Sequence, residues 1–324
     1  MSEAYRVTWD YGNPNEYLRL YEEFEMPPLM ITVAISGGIH GKEINPNLPE
    51  TPQEQALQTF DAYEAGASIV HIHARDPATG YANPSCDPNI YRDINKRIRE
   101  LCPDIIISNT TGAGWGVPVE ERIKAIQGGA EICSLDQGTM AIRTVYKARK
   151  PPLEGRPEDI AFDGTFQNTY GDNERFAEEM LKHGTKPELE TFDTGDFWLI
   201  RNLISKNLIK PPYFICLVTG YISALPPTPW HLLSQMSMAP SNSIFNVLGI
   251  GVHELPMTTM AIILGAHVRV GLEDNVYYRH GVKAKNNAEL VARIVRIAKE
   301  LNRRIATPAE AREILGVSKT PSKY

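Results

Sequence analysis

The sequence predicts an α/β chain folded as one (β/α)8 TIM barrel, with an N-terminal arm over residues 1–28 and an extra C-terminal helix after the eighth unit. Three observations predict it. Eight short apolar runs rich in β-branched residues recur along the chain, polar or amphipathic stretches long enough for crossover helices separate them, and helix-start signals stand at the expected places. Strand–helix alternation implies a parallel sheet, and eight units favour closure into a barrel over an open doubly wound sheet, the structural alternative.

The runs fall at 29–38 (LMITVAISGG), 68–75 (SIVHIHAR), 104–112 (DIIISNTTG) and 131–136 (EICSLD) in the first half. The second half adds 186–193 (KPELETFD), 213–220 (YFICLVTG), 244–251 (IFNVLGIG) and 267–274 (HVRVGLED). After the first run, Thr51 caps a helix with Pro52 at its first position and Glu54 closing a capping box. Thr307-Pro308-Ala309-Glu310 repeats that signal and predicts the final helix. Residues 139–171 are too long for a plain connection and predict an elaborated βα loop on the C-terminal face, where barrel enzymes build their sites. No second domain, internal repeat or low-complexity tract breaks residues 29–324.

Composition narrows the function classes. A formal net charge of −6 disfavours non-specific nucleic-acid binding, which needs a basic face. No run approaches the roughly 18 apolar residues of a membrane span, and the N-terminus lacks the basic-then-apolar pattern of a secretory signal. Cys86, Cys102, Cys133 and Cys216 form no CxxC pair, which predicts reduced, mostly buried thiols in a cytoplasmic protein.

Chemistry concentrates on two runs. In the second, His71 and His73 are two residues apart and share a strand face, so two imidazoles converge as a zinc site requires; they equally suit two polar groups satisfied inside a barrel. In the eighth, Arg269, Gly271 and Glu273 share a parity, with small Gly271 leaving room for a ligand. Strands two and eight flank strand one in a closed sheet, so Glu273 can join the His pair, and two His plus one carboxylate with an open position is a catalytic zinc arrangement. The competing reading is an Arg269–Glu273 ion pair that fills the barrel. Asp274, at the strand end with opposite parity, is a candidate general base. Glu190 on the fifth strand can orient Arg269 or Asp274, or form an ordinary salt bridge. Hydroxyls at Thr110, Thr111 and Ser134, beside Gly112, suit carboxylates or developing oxyanions. His40 reads as a loop histidine rather than a fourth ligand.

The blocks EAGASIVHIHARD and LGAHVRVGLEDN, with ITVAISGG, NPNLPETPQEQ, IIISNTTGAG and PELETFDTG, resemble the β-keto acid cleavage enzymes from roughly residue 29 to 316. The resemblance implies zinc held by His71, His73 and Glu273, Asp274 as base acting with Arg269 and Glu190, and substrate contacts at Thr110, Thr111, Gly112 and Ser134. Thr110 stands at a family serine position and Ser134 at a family threonine position, so both keep the hydroxyl. The implied reaction condenses a 3-keto acid with acetyl-CoA, giving acetoacetate and a new acyl-CoA, in a homotetramer. Ile39 stands where the family member acting on an amino-substituted keto acid carries a glutamate, which implies a substrate without a primary ammonium at that place; Trp115 can add an apolar or cation–π wall. A metal-dependent retro-aldol lyase working without CoA and a non-catalytic keto-acid-binding barrel are the alternatives.

Overall fold

The computed structural model describes residues 13–23 and 26–324. Eight strands close into an all-parallel barrel: β1 (Ile31–Ala34), β2 (Ile69–Ile72), β3 (Ile106–Asn109), β4 (Ile132–Asp136), β7 (Lys186–Thr191), β8 (Tyr213–Thr219), β9 (Ser243–Gly249) and β10 (His267–Val270). β1 pairs with β2 on one side and β10 on the other, so the strands carrying the histidines and the arginine are its two neighbours. All eight lie within or one residue from the apolar runs of the sequence. The strands are buried almost throughout, because helices cover their outer faces and side chains fill the interior.

The described helices are α1 (Pro14–Glu22), α2 (Pro52–Glu64), α3 (Pro88–Leu101), α4 (Val119–Arg122), α5 (Tyr170–His183), α6 (Phe197–Ser205), α7 (Pro229–Met238), α8 (Glu254–Ile263), α9 (Asn287–Glu300) and α10 (Pro308–Leu315). Thr51 and Thr307 cap α2 and α10 in full capping boxes with Glu54 and Glu310. Between β3 and β4 the crossover is reduced to one α-helical turn and a 3-10 stretch, Ile123–Gly128, ended by Gly129 at φ 82°. The main core lies between barrel and helices. A second cluster fills the N-terminal end of the barrel, where Ala311, Ile314 and Leu315 of α10 close over Met30, Ile69, Ile106, Ile132, Phe214 and Ile244. Among the described residues, the N-terminal end of the barrel is thus plugged, and its C-terminal mouth is left for a site.

The connection over 139–171 contains an antiparallel hairpin, β5 (Met140–Tyr146) with β6 (Ile160–Phe166). Met140 and Ile142 are buried while Ala141 and Arg143 are exposed, the period-2 pattern of a ribbon laid over the mouth. A second ribbon, β11 (Tyr277–Arg279) with β12 (Val282–Lys283), follows β10. The arm expected over 1–28 lies partly outside the described residues. Its described helix α1 docks where the Tyr17 and Tyr21 hydroxyls donate to the Ile263 carbonyl at 3.3 and 2.6 Å, at the C-terminal end of α8 and so on the plugged side. No described helix is long and apolar enough to cross a membrane. Cys102, Cys133 and Cys216 are buried and Cys86 half-buried, all as free thiols.

Candidate active site

His71 lies on β2 and His73 just beyond it; both are buried, with ring centroids 5.4 Å apart. His73 Nε2 is 3.2 Å and His71 Nε2 3.7 Å from the same Glu273 oxygen. Glu273 reaches them by a route the sequence does not predict. β10 ends at Val270, and residues 271–275 form a turn in which the Asp274 and Asn275 amides donate to the Gly271 carbonyl at 3.1 and 2.9 Å. Strand parity thus no longer separates Glu273 from Asp274, and both carboxylates turn onto Arg269.

Gly271 also has a different reason from the expected one. Its φ is 150°, and a Cβ there would stand 2.1 Å from the Ala34 carbonyl oxygen. The glycine admits the backbone of β1, not a ligand. Gly37, at φ 64°, does admit the site: a Cβ would meet Glu273 Cγ at 2.9 Å.

Arg269 is the hub. Its Nε and Nη2 donate to the two Asp274 oxygens, each at 2.9 Å, and Nη1 donates to Glu190 at 3.1 Å; Nη2 also reaches Glu273. Such a bidentate, charge-assisted grip fixes the Asp274 carboxylate in position. Burial raises the Glu273 carboxyl, but His73, Arg269 and His71 more than offset this and hold it well below the usual range. Burial pushes Asp274 up to about 6 against the opposing pull of Arg269. Burial raises Glu190 well above the usual range, with Arg269 opposing. His71 is held well below its ordinary value by burial and by Arg269, so its imidazole is neutral and available as a ligand.

Over this base opens a cavity of about 330 Å³. It is lined by the polar groups His71, His73, Glu273, Asp274, Arg269, Glu190 and Asp136, and by the apolar and aromatic side chains Ile39, Trp115, Phe166, Tyr221 and Ile250. Trp115 packs edge-on to Phe166 with centroids 5.0 Å apart, and lies 5.6 Å from Tyr221, so its ring belongs to an aromatic wall. Of the hydroxyls, Thr110 lines the cavity beside Gly112. Ser134 and Thr111 stand behind it: Ser134 Oγ accepts from the Thr111 amide at 3.0 Å, and the Thr111 hydroxyl donates to the Ser134 carbonyl at 2.7 Å. Those two are brought close to the site but do not line it. His40 lines the cavity with Nε2 at 3.3 Å from the Leu272 carbonyl, outside the ligand cluster, in keeping with a loop histidine.

Three buried groups behind the site were not singled out from sequence. Asp136 lines the cavity on β4 and is paired with Arg122 at 3.2 Å. Arg75 donates to the carbonyls of Ser36, Gly37 and His40, tying down the loop that faces Glu273. Glu254 accepts from the Gly271 amide at 3.2 Å, from Asn275 Nδ2 at 3.4 Å and from Arg293 at 2.7 Å, and so braces the turn that carries Glu273 and Asp274. The sequence signals are slight: Arg75 closes the HIHAR strand and Glu254 opens α8, but their partners are distant in the chain. Glu254→Ala is expected to destabilise the fold by about 3–5 kcal/mol, the scale for stripping one partner from a buried ion pair. Urea denaturation checks this; a loss below about 1 kcal/mol, typical of an exposed pair, would remove Glu254 from the brace.

The donor set suits a divalent cation. One ligand atom each from His71, His73 and Glu273 lies within 4.8 Å of the others, and the second Glu273 oxygen is buried without a hydrogen-bond partner. Four carboxylates, Asp136, Glu190, Glu273 and Asp274, line the cavity against the single guanidinium of Arg269. Two nitrogens and a carboxylate oxygen are donors that zinc accepts.

Comparison with known proteins extends the geometry to a family. A family model described as beta-keto acid cleavage enzyme matches residues 28–317. The 3-keto-5-aminohexanoate cleavage enzyme of Acetoanaerobium sticklandii is 40% identical over 91% of this chain and 100% of its own length. The 3,5-dioxohexanoate:acetyl-CoA acetone transferase of Paraburkholderia graminis is 32% identical over 89% of this chain and 95% of its own. Among solved structures, the ternary complex of ObcA with a C4-CoA adduct and oxalate matches with a TM-score of 0.63 at 19% identity, covering 84% of this chain and 68% of that one, a likeness in fold. With a matched model spanning nearly the whole described barrel and relatives aligned along almost their full length, this chain belongs to the beta-keto acid cleavage enzyme family.

Proposed function

We propose that this protein is a zinc-dependent acyltransferase that condenses a 3-keto acid with acetyl-CoA, releasing acetoacetate and a new acyl-CoA. The observation that carries the reading is the convergence of His71, His73 and Glu273 beside an Asp274 carboxylate held by Arg269. Zinc held by those three residues would supply Lewis acidity for the substrate's ketone and carboxylate. Asp274 takes the C2 proton; Arg269 keeps its carboxylate aimed, and Glu190 steadies Arg269 from the other side. The C2 carbanion attacks the acetyl carbonyl of acetyl-CoA and expels the CoA thiolate. That thiolate then attacks the original ketone, and the C2–C3 bond breaks to release the new acyl-CoA; the carbanion left at C2 takes the proton back from Asp274 and leaves as acetoacetate. Thr110 and the Gly112 backbone are the substrate contacts at the cavity wall, with Ser134 and Thr111 holding them in place. The barrel over 29–324 as the catalytic unit, a cytoplasmic location and a homotetramer belong to the same proposal.

The substrate's side chain lacks a primary ammonium in this reading; a neutral chain, or a quaternary ammonium held against aromatics such as Trp115, fits it. Ile39 and the aromatic wall line the cavity, and its lining carboxylates are those gathered around Arg269 and Arg122. An ammonium beside Ile39 would lose its water without gaining a partner, a cost of several kcal/mol, whereas an alkyl chain gains about 25 cal/mol per Å2 buried. The unmodified enzyme is therefore expected to convert 3-ketohexanoate and acetyl-CoA to acetoacetate and butanoyl-CoA, with a higher kcat/KM than for 3-keto-5-aminohexanoate. Ile39→Glu should shift the preference toward the amino compound. Mass spectrometry of the acyl-CoA products reads both results. A tenfold preference of the unmodified enzyme for the amino compound would overturn the reading of Ile39. Cleavage that proceeds without acetyl-CoA would overturn the acyltransferase reading in favour of a retro-aldol lyase.

A further inference from the structure

We infer that the β11–β12 ribbon binds the phosphorylated nucleotide end of acetyl-CoA; this rests on the acyltransferase reading above. Residues 275–288 (NVYYRHGVKAKNNA) contain Arg279, His280, Lys283 and Lys285 and no carboxylate. All four are exposed, and none is ion-paired with a carboxylate among the described residues. On the other ribbon at the mouth, Arg143 pairs with Asp163 at 2.6 Å, and just past its first strand Lys147 pairs with Asp159 at 2.8 Å. Lys42, on the loop after β1, is likewise taken by Glu54. On a chain of net charge −6, a basic ribbon with no carboxylate of its own draws anions.

The ribbon is placed for a ligand that reaches the reaction centre. Tyr277 follows Asp274 by three residues, so they are at most roughly 10 Å apart along the chain, less than an extended pantetheine arm. Its base is anchored: Asn45 Nδ2 donates to the Val276 and Ala284 carbonyls at 3.0 and 3.1 Å, and Lys283 donates to the Ile44 carbonyl. Arg293 stacks on the Tyr278 ring at 4.9 Å, and Arg296 donates to its hydroxyl at 3.1 Å. Tyr278 is thereby committed to holding the ribbon, while Tyr277 and Arg279, on either side of the register shift in β11, are both exposed. An exposed aromatic ring beside a guanidinium offers what an adenine with phosphates needs: a stacking surface and a bidentate donor. Lys283 and Lys285 add charge, and the His280 imidazole a further polar contact, for the remaining phosphoryl oxygens.

The test compares acetyl-CoA with S-acetylpantetheine, which keeps the reacting thioester and lacks the nucleotide. In a triple variant, Arg279→Ala with His280→Ala and Lys285→Ala, KM for acetyl-CoA should rise about tenfold or more, the scale of one lost charge-assisted hydrogen bond. Its kcat and the KM for S-acetylpantetheine should stay near the unmodified values. Arg279→Lys with Lys285→Arg, which keeps the charges, should recover most of the affinity. An unchanged KM for acetyl-CoA, or an equal rise for both thioesters, would overturn the proposal. Calorimetric titration with adenosine 3′,5′-bisphosphate decides it independently of turnover: the unmodified protein should bind and the triple variant should not, and equal heats from both would also overturn it. If the unmodified protein turns over neither thioester, the acyltransferase reading fails, and this titration still decides whether the ribbon binds the nucleotide.

Discussion

His71→Ala is expected to lose most of the bound metal, and Glu273→Ala to do the same. Each removes one of the three protein donors that converge within 4.8 Å, and loss of even an outer-sphere partner typically costs roughly 10–100-fold in metal affinity. The two variants are not equivalent. Glu273 also accepts from Arg269, so its removal changes the charge around the hub, whereas His71 is removed without touching the Arg269–Asp274 pair. Elemental analysis of the purified proteins should find about one zinc per chain in the unmodified enzyme, one occupant for one three-ligand site, and a small fraction of that in each variant. Full metal content in both would end the assignment of these residues as ligands.

Asp274→Asn should leave metal content and keto-acid binding nearly intact while turnover falls by roughly 10²-fold or more, the usual scale for losing a general base. The amide keeps the side chain's size and one oxygen to accept from Arg269, but it cannot take a proton. Single-turnover rates, read beside zinc content and keto-acid affinity, separate this from a collapse of the site. Rates near those of the unmodified enzyme would move the proton to another group. Glu190 is the next candidate, since it sits 3.1 Å from the same guanidinium.

Much of the barrel was legible along the chain because it depends on short-range physics. β1, β2 and β3 are runs rich in β-branched residues buried on both faces, and α2 and α10 start at capping boxes closed within four residues. The His71–His73 spacing was legible for the same reason: alternation along a strand needs only neighbours. The ribbon β5–β6 leaves a period-2 trace in MAIRTVY, but the Pro- and Gly-rich sequence around it hides that trace inside a loop.

Other features depend on where β10 stops. Continued as a strand, residues 271–274 would point Glu273 and Asp274 to opposite faces; folded as a turn, they bring both carboxylates to Arg269. Gly271 permits that turn because only a residue without Cβ can lie against the Ala34 carbonyl. The turn is braced by Glu254 and Arg293, and the facing loop by Arg75.

The sequence by itself determined the eight-unit alternation, the helix starts and the residue types able to bind a metal and move a proton. The tertiary structure alone decided which of those residues meet. Only barrel closure sets β2 and β10 on either side of β1, and only burial makes each carboxylate's charge depend on groups that lie far away in the chain but close in space.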